Sequence, residues 1–436
     1  MRRRVKESAV AIIAVIMAFA VVSCAQKELP GTNLIDNEEE EKTTILLFAP
    51  MERSKPDAKN AARTAFDKTV IMAEEQLKLT VEYRTYTSAD YQEKTYDDVA
   101  IDRVRHDMDD FYLLNPDVLQ KMGEEGRLAD LSDLECAKNL REVVKSANTV
   151  DGKLMGIPQE VVVYGLFVNK DMFDQYDLEM PNTPEEFLEC CRVFKKNGIE
   201  TPIGANRWWL ETFVFAQAYA DLYNGDDPAA EIEALNNGER KYSDYMRKGF
   251  EYLKELIDLG YIDAETALTY EAIEGEGADF LAQKTPIVMA YWGAANAETA
   301  YGKPDFDMEV IGFPSDRGQM PVVSMTGISV LENSERRQET LDVLEVMLSD
   351  EALRVYAETN KVISPSENVE VECIPALKPL NDLVDEGKYV LASNAGMKVE
   401  QWGNTCLIVR KLMEGASVDE CMAEFDRLQE ESNDSQ

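Results

Sequence analysis

The chain has 436 residues, 45% hydrophobic and 29% charged, an ordinary balance for a folded protein with room for two or three domains. Its formal net charge of −38 is not ordinary. That charge argues against a nucleic-acid partner, which needs clustered lysine and arginine, and disfavours electrostatic adhesion to anionic lipid.

Arg2, Arg3, Arg4 and Lys6 form a positive head, and residues 9–22 an apolar core. Together residues 1–23 have the layout of a secretory signal, shorter than a spanning helix needs. The segment ends in Val21-Val22-Ser23-Cys24, which resembles a bacterial lipobox. That resemblance implies cleavage before Cys24 and lipid attachment to it, leaving the protein anchored on the extracytoplasmic face of the cell membrane. Acyl chains contribute about 0.8 kcal/mol per buried methylene, and two or more hold a protein stably. An uncleaved anchor with an incidental cysteine is the alternative. Residues 24–42, with Pro30-Gly31 and an acidic run at 38–41, read as a solvated tether. Cys136, Cys190, Cys191, Cys373, Cys406 and Cys421 show no zinc-like spacing and read as buried thiols, although an exported location permits disulfides.

Residues 43–49 (TTILLFA) read as the opening strand, with Glu52 and Arg53 in the loop at its end. Phe66, Val70, Ala73 and Leu77 recur at helical spacing over 61–79, and 78–86 alternate as a strand. This βαβ start predicts a parallel sheet. Another strand, 111–114, stops at Asn115-Pro116. Gly152 and Gly156 bracket a turn, Pro158 bars a helix, and 161–168 form an almost unbroken apolar run. Such a run suits a strand covered on both faces. Thr183-Pro184-Glu185-Glu186 is a helix start with a capping box. The strand 199–205 leads into Asn206-Arg207-Trp208-Trp209, followed by an apolar helix at 213–223 and an amphipathic one at 245–259. Further strands fall at 280–292, 308–313 and 322–330, then helices at 336–348 and 349–358. Ser417-Val418-Asp419-Glu420 caps the last helix.

The segments GIP (156–158), NKDMF (169–173) and NTPEEF (182–187) resemble the extracellular solute-binding proteins of ABC importers, in the carbohydrate group that includes maltose-binding proteins. So do VLQKMGEEGRLADLSDL (118–134), LIDLGYID (256–263), FLAQKTPIVMAYW (280–292), VVSMTGISV (322–330) and SDEALRVYAE (349–358). All stand in the family's order, across about residues 43–430. The resemblance implies an α/β, two-lobe periplasmic-binding-protein-like fold of class II with three crossing segments, at 152–173, 280–292 and 322–330. The N-terminal lobe is then 43–157 plus 290–325, with 308–313 returning to it, and the C-terminal lobe 158–289 plus 326–430. It also implies a monomer without cofactor that captures a small molecule, a sugar or oligosaccharide, and delivers it to ABC permease membrane subunits; no metal ligands are singled out.

Catalytic chemistry finds little support. The single histidine, His106, lies in a charged stretch, and there is no GxSxG, Walker A or HExxH pattern. With 83 acidic residues, any one carboxylate pair is an arbitrary choice, so an extracellular hydrolase stays an alternative, as does a same-fold binder of a peptide or polyamine. A saccharide site needs flat aromatic platforms and planar hydrogen-bonding partners. Trp292, at an expected crossing, is the leading candidate, and Trp208 is favoured over Trp209 to face the ligand. Trp402 completes the four tryptophans. Polar candidates at strand ends and crossings are Glu52, Arg53, Asn115, Gln159, Glu160, Tyr164, Arg207, Asn296 and Thr326.

Overall fold

Strands β1 (Thr44–Ala49) and β2 (Thr80–Thr85) lie parallel, with helix α1 (Ala61–Leu77) between them in sequence. This is the expected βαβ unit. The structure is a computed structural model and describes residues 42–54, 61–87, 94–270, 274–291, 304–372 and 375–434. Phe66, Val70 and Ala73 bury the inner stripe of α1, and Lys78, at φ 59°, turns the chain back toward β2. β3 (Phe111–Leu114), buried along its whole length, pairs with the other side of β1, again in parallel. Between them lies α2 (Tyr96–Arg105), which the polar sequence around it concealed. Its start is a capping box: the Thr95 hydroxyl accepts from the Asp98 N–H, and the Asp98 carboxylate accepts from the Thr95 N–H, both at 3.1 Å. α3 (Pro116–Glu124) follows β3 at once, with Pro116 in its first turn.

The second sheet is built on the strand Val162–Asn169, seven of whose eight residues are buried. Val322–Ser324 pairs with its first half, Met308–Ile311 with its second, and Ile287–Tyr291 lies along its other side. Val390–Leu391 and Ile203–Gly204 complete the six strands. Packing at the centre is tight: a Cβ on Gly165 would land on the Ile311 carbonyl oxygen. Helices Glu211–Tyr223, Tyr242–Asp258, Trp402–Met413 and Val418–Asp434 pack together around this sheet's apolar core.

The path between the sheets differs from expectation in three places. The 280–292 segment is no crossing, because Ile287–Tyr291 stays between Val162–Asn169 and Ile203–Gly204. The 308–313 segment does not return to the first sheet, because Met308–Ile311 pairs with Val162–Asn169. The third difference concerns 326–430, which is split. Gly327–Val330 pairs antiparallel with β3, and helices Arg337–Met347 and Asp350–Asn360 pack on α1. The boundaries 290–325 and 326–430 therefore do not follow the strand pairings. An apolar run shows that a strand is covered, not which sheet covers it, and the polar break Ser324-Met325-Thr326-Gly327 inside 322–330, where the chain changes sheets, does not name the sheet on either side.

Three passages join the sheets. One runs from Ile157, bridged to Ile328, to Val161, bridged to Ile363. A second is Ser324–Gly327. The third leaves helix Asp350–Asn360 past Ile363 and ends at helix Lys378–Asp385 beside Met308–Ile311.

Candidate functional site

The carboxyl end of β3, the start of α2 and the first turn of α3 converge on the Ser324–Gly327 passage. Across from them stand the beginning of Val162–Asn169 and the start of helix Trp402–Met413. A cavity of about 530 Å³ lies among these elements. Asp97, Asn115, Pro116 and Asp117 line one side. Glu160, Val162, Tyr164, Trp209, Ser393, Glu400, Trp402 and Gly403 line the rest, over a floor of Ser324, Met325 and Thr326. Two other cavities match it in size, about 470 Å³ beside Asp221–Tyr245 and about 510 Å³ along Ile203–Gly204, but neither touches the first sheet. Position, not volume, singles out the one between the sheets.

Asn115 ties its parts together. Its amide donates to Asp97 at 3.1 and 3.3 Å, and its carbonyl oxygen accepts from the Thr326 hydroxyl at 3.0 Å. Asp117 accepts from the Ser393 hydroxyl at 3.2 Å and the Gln401 N–H at 3.3 Å. Glu160 accepts from the Tyr356 hydroxyl at 3.3 Å. Burial pushes Asp117 up to about 7, with the Glu400 charge adding to it. Burial likewise lifts Glu160 to about 7, and moves Asp97 and Glu400 upward.

The aromatic side is built from Tyr164, Trp402 and Trp209. The first two have ring centroids 5.3 Å apart, and Phe215 supports Trp402 from behind at 5.9 Å. Trp209 sits at φ 70°, in the left-handed region that bulky residues rarely occupy. Asn206 shapes this turn by accepting from the Trp208 N–H at 2.7 Å.

Of the residues expected from sequence, Asn115, Glu160, Tyr164, Trp209, Trp402 and Thr326 come together at the cavity. The adjacent tryptophans divide in the opposite sense to that expected. Trp209 lines the cavity, whereas Trp208 lies between the Arg207 and Arg410 guanidinium groups, 5.3 and 4.4 Å from its ring. Arg207 is thereby engaged away from the cavity as well. Arg53 pairs with Glu74 at 2.7 Å, and Glu52 is exposed near it rather than lining the cavity. Gln159 turns inward to Thr69 and the Met347 carbonyl. Trp292, Asn296 and Cys24 lie outside the described residues.

The sequence reading missed Asp97, Asp117, Ser393 and Glu400. A signal existed for the first two: the Thr95-x-x-Asp98 box marks a helix start, and Asp117 follows a strand-ending Asn-Pro. Nothing comparable marks Ser393 or Glu400. His106 is exposed, and the five described cysteines are free thiols.

A family model for bacterial extracellular solute-binding proteins matches residues 68–376. An uncharacterized ABC transporter extracellular-binding protein of Pyrococcus horikoshii is 25% identical over 262 residues, covering 57% of each chain. The chain thus spans a little over half of that relative's length. A family 1 extracellular solute-binding protein of Bifidobacterium longum subsp. infantis superposes with a TM-score of 0.72 at 17% identity, over 89% of this chain and 99% of that one. A sugar transporter of Bacillus licheniformis, solved in complex with stachyose, gives 0.66 at 17% identity, over 90% and 100%. At such identities the structural likeness speaks for the two-lobe fold. Among the described residues, no helix is long and apolar enough to cross a membrane.

Proposed function

The chain belongs to the bacterial extracellular solute-binding protein family, and from that premise we propose that it is the substrate-binding subunit of an ABC importer for a sugar or oligosaccharide. One observation carries the reading: the cavity between the sheets sets Tyr164, Trp209 and Trp402 opposite the hydrogen-bonding groups of Asp97, Asn115 and Asp117. Aromatic rings suit the C–H faces of pyranoses, and carboxylates and amides suit their hydroxyls. The stachyose complex of the Bacillus licheniformis neighbour supports the same class of ligand.

In this reading the first lobe comprises β1 to α3 together with Gly327–Val330 and the helices packed on α1, and the second lobe is built on the Val162–Asn169 sheet. A ligand touching both lobes binds their closed arrangement more tightly and shifts the population toward it. The closed protein docks on the permease and releases its solute unchanged. Cys24 is the lipid attachment point, so capture takes place outside the membrane.

A thermal-shift screen of mono- and oligosaccharides tests the proposal. A saturable rise in melting temperature, with the sugar recovered intact, is expected. No response to any saccharide, or turnover of a glycoside, would overturn it. For a sugar that binds, Trp402→Ala is expected to weaken affinity about 10–100-fold and Trp208→Ala by less than about threefold, as calorimetry would measure.

A further inference from the structure

We propose that the saccharide taken by this cleft carries a protonated amine. The inference rests on the saccharide reading above and narrows it to basic sugars.

Four carboxylates, Asp97, Asp117, Glu160 and Glu400, line the cavity, and no lysine, arginine or histidine does so among the described residues. Three basic residues nearby in sequence are engaged away from it. Lys94 pairs with Asp102 at 2.6 Å, and Arg207 and Arg410 flank Trp208. Every hydrogen bond described above for these acids comes from a neutral donor, whether Asn115, Ser393, the Gln401 N–H or Tyr356. The charges that act on Asp117 are those of Glu400 and Asp97, both of its own sign.

A neutral hydroxyl can donate to a carboxylate but supplies no counter-charge, so closing the lobes would either bury that charge at a cost or require the carboxyl to take up a proton. An ammonium brings three donors and the missing charge together. An anionic sugar would be repelled. The cluster is not a divalent-cation site in disguise: among the described residues, no three His, Cys, Asp or Glu side chains are drawn close enough to hold a metal ion. Nor does a linear amine use the whole site. Tyr164, Trp209 and Trp402 offer flat faces to a ring, and an ammonium close to them gains a cation–π contribution as well.

The test is calorimetry on the full chain in mild detergent with five probes. These are a β-1,4-linked glucosamine tetramer, its fully N-acetylated counterpart, raffinose, a galacturonate oligomer and spermidine. The amine tetramer is expected to bind at least about tenfold tighter than the acetylated one, with no binding of the uronate. Asp117→Asn and Glu400→Gln, which keep shape and lose charge, should each reduce that preference several-fold while leaving the melting temperature of the empty protein intact. Equal or tighter binding of the acetylated tetramer or raffinose would overturn the amine inference and leave the saccharide reading standing. Binding of spermidine with no saccharide bound would overturn both. Because the ratio between probes is read on the unmutated protein, a variant that failed to fold would not shelter the proposal.

Discussion

Two sets of acidic side chains sit in sheltered positions of this molecule and are treated in opposite ways. Behind the first sheet, Asp109 receives both arms of Arg103, each at 2.7 Å, and Arg103 in turn lies over the Phe48 ring at 4.7 Å. Asp110 next to it takes Arg336 at 3.0 Å and the Leu46 N–H at 2.8 Å. In the cleft, Asp117 and Glu160 receive neutral donors only, among the described residues. For Asp109 and Asp110 the chain supplies the counter-charge itself. For Asp117 and Glu160 the proposed ammonium would supply it.

The sharpest way to break this contrast is to remove a counter-charge. Arg103→Ala strands Asp109, whose side chain is fully buried, and is expected to cost about 3–5 kcal/mol in urea unfolding. Asp117→Asn, by contrast, removes a charge that has no cation and is expected to be neutral or mildly stabilising. Equal losses from the two would erase the distinction.

A fifth carboxylate refines it. Glu211 is buried at the start of helix Glu211–Tyr223 and is pushed up to about 7 by burial, with backbone N–H groups and the more distant Arg410 opposing the shift. A carboxyl raised in the folded state contributes stability below its unfolded value, near 4, which is lost as pH rises through about 7. Glu211→Gln is therefore expected to stabilise the protein by about 1–2 kcal/mol at pH 8 and to change little at pH 5. A gain that did not grow with pH would mean that Glu211 keeps its charge at no cost. The smallest expected effect is at the rim. Thr95→Ala removes half of the capping box that precedes Asp97 and should cost about 1 kcal/mol. Ligand affinity should fall by a few-fold as α2 frays.

The elements of the first sheet were legible from sequence because each has a local cause. β1 and β3 are short apolar runs, α1 carries its stripe at a period of 3.6, and Asn115-Pro116 ends β3. Sheet membership was not legible. It depends on pairings such as Leu166 with Ile311, made across more than a hundred residues, and on a change of sheet at Met325-Thr326 that the neighbouring Ser324 and Gly327 mark as a break but not as a change of partner. The site was half legible for the same reason. Asn115, Glu160 and Tyr164 follow from position at strand ends, and Asp117 could have been found from the Asn-Pro before it, whereas Glu400 could not be chosen among 83 acidic residues. The backbone of Trp209, at φ 70°, decides which of two neighbouring indoles meets the cavity, and a residue string does not encode that angle openly.

The floor of the cavity has one more consequence. Ser324 is paired to Val162 in one sheet and Gly327 to Leu114 in the other, so only Met325 and Thr326 are available for the backbone to change direction. In the proposed closure, whatever rests on those residues lies at one of the three pivots, not between the jaws. Contacts there travel least as the halves swing, and they grip an incoming solute with nearly equal strength in either posture. The power to tell an occupied molecule from an empty one belongs to the outer contacts, where a few degrees of rotation become ångströms.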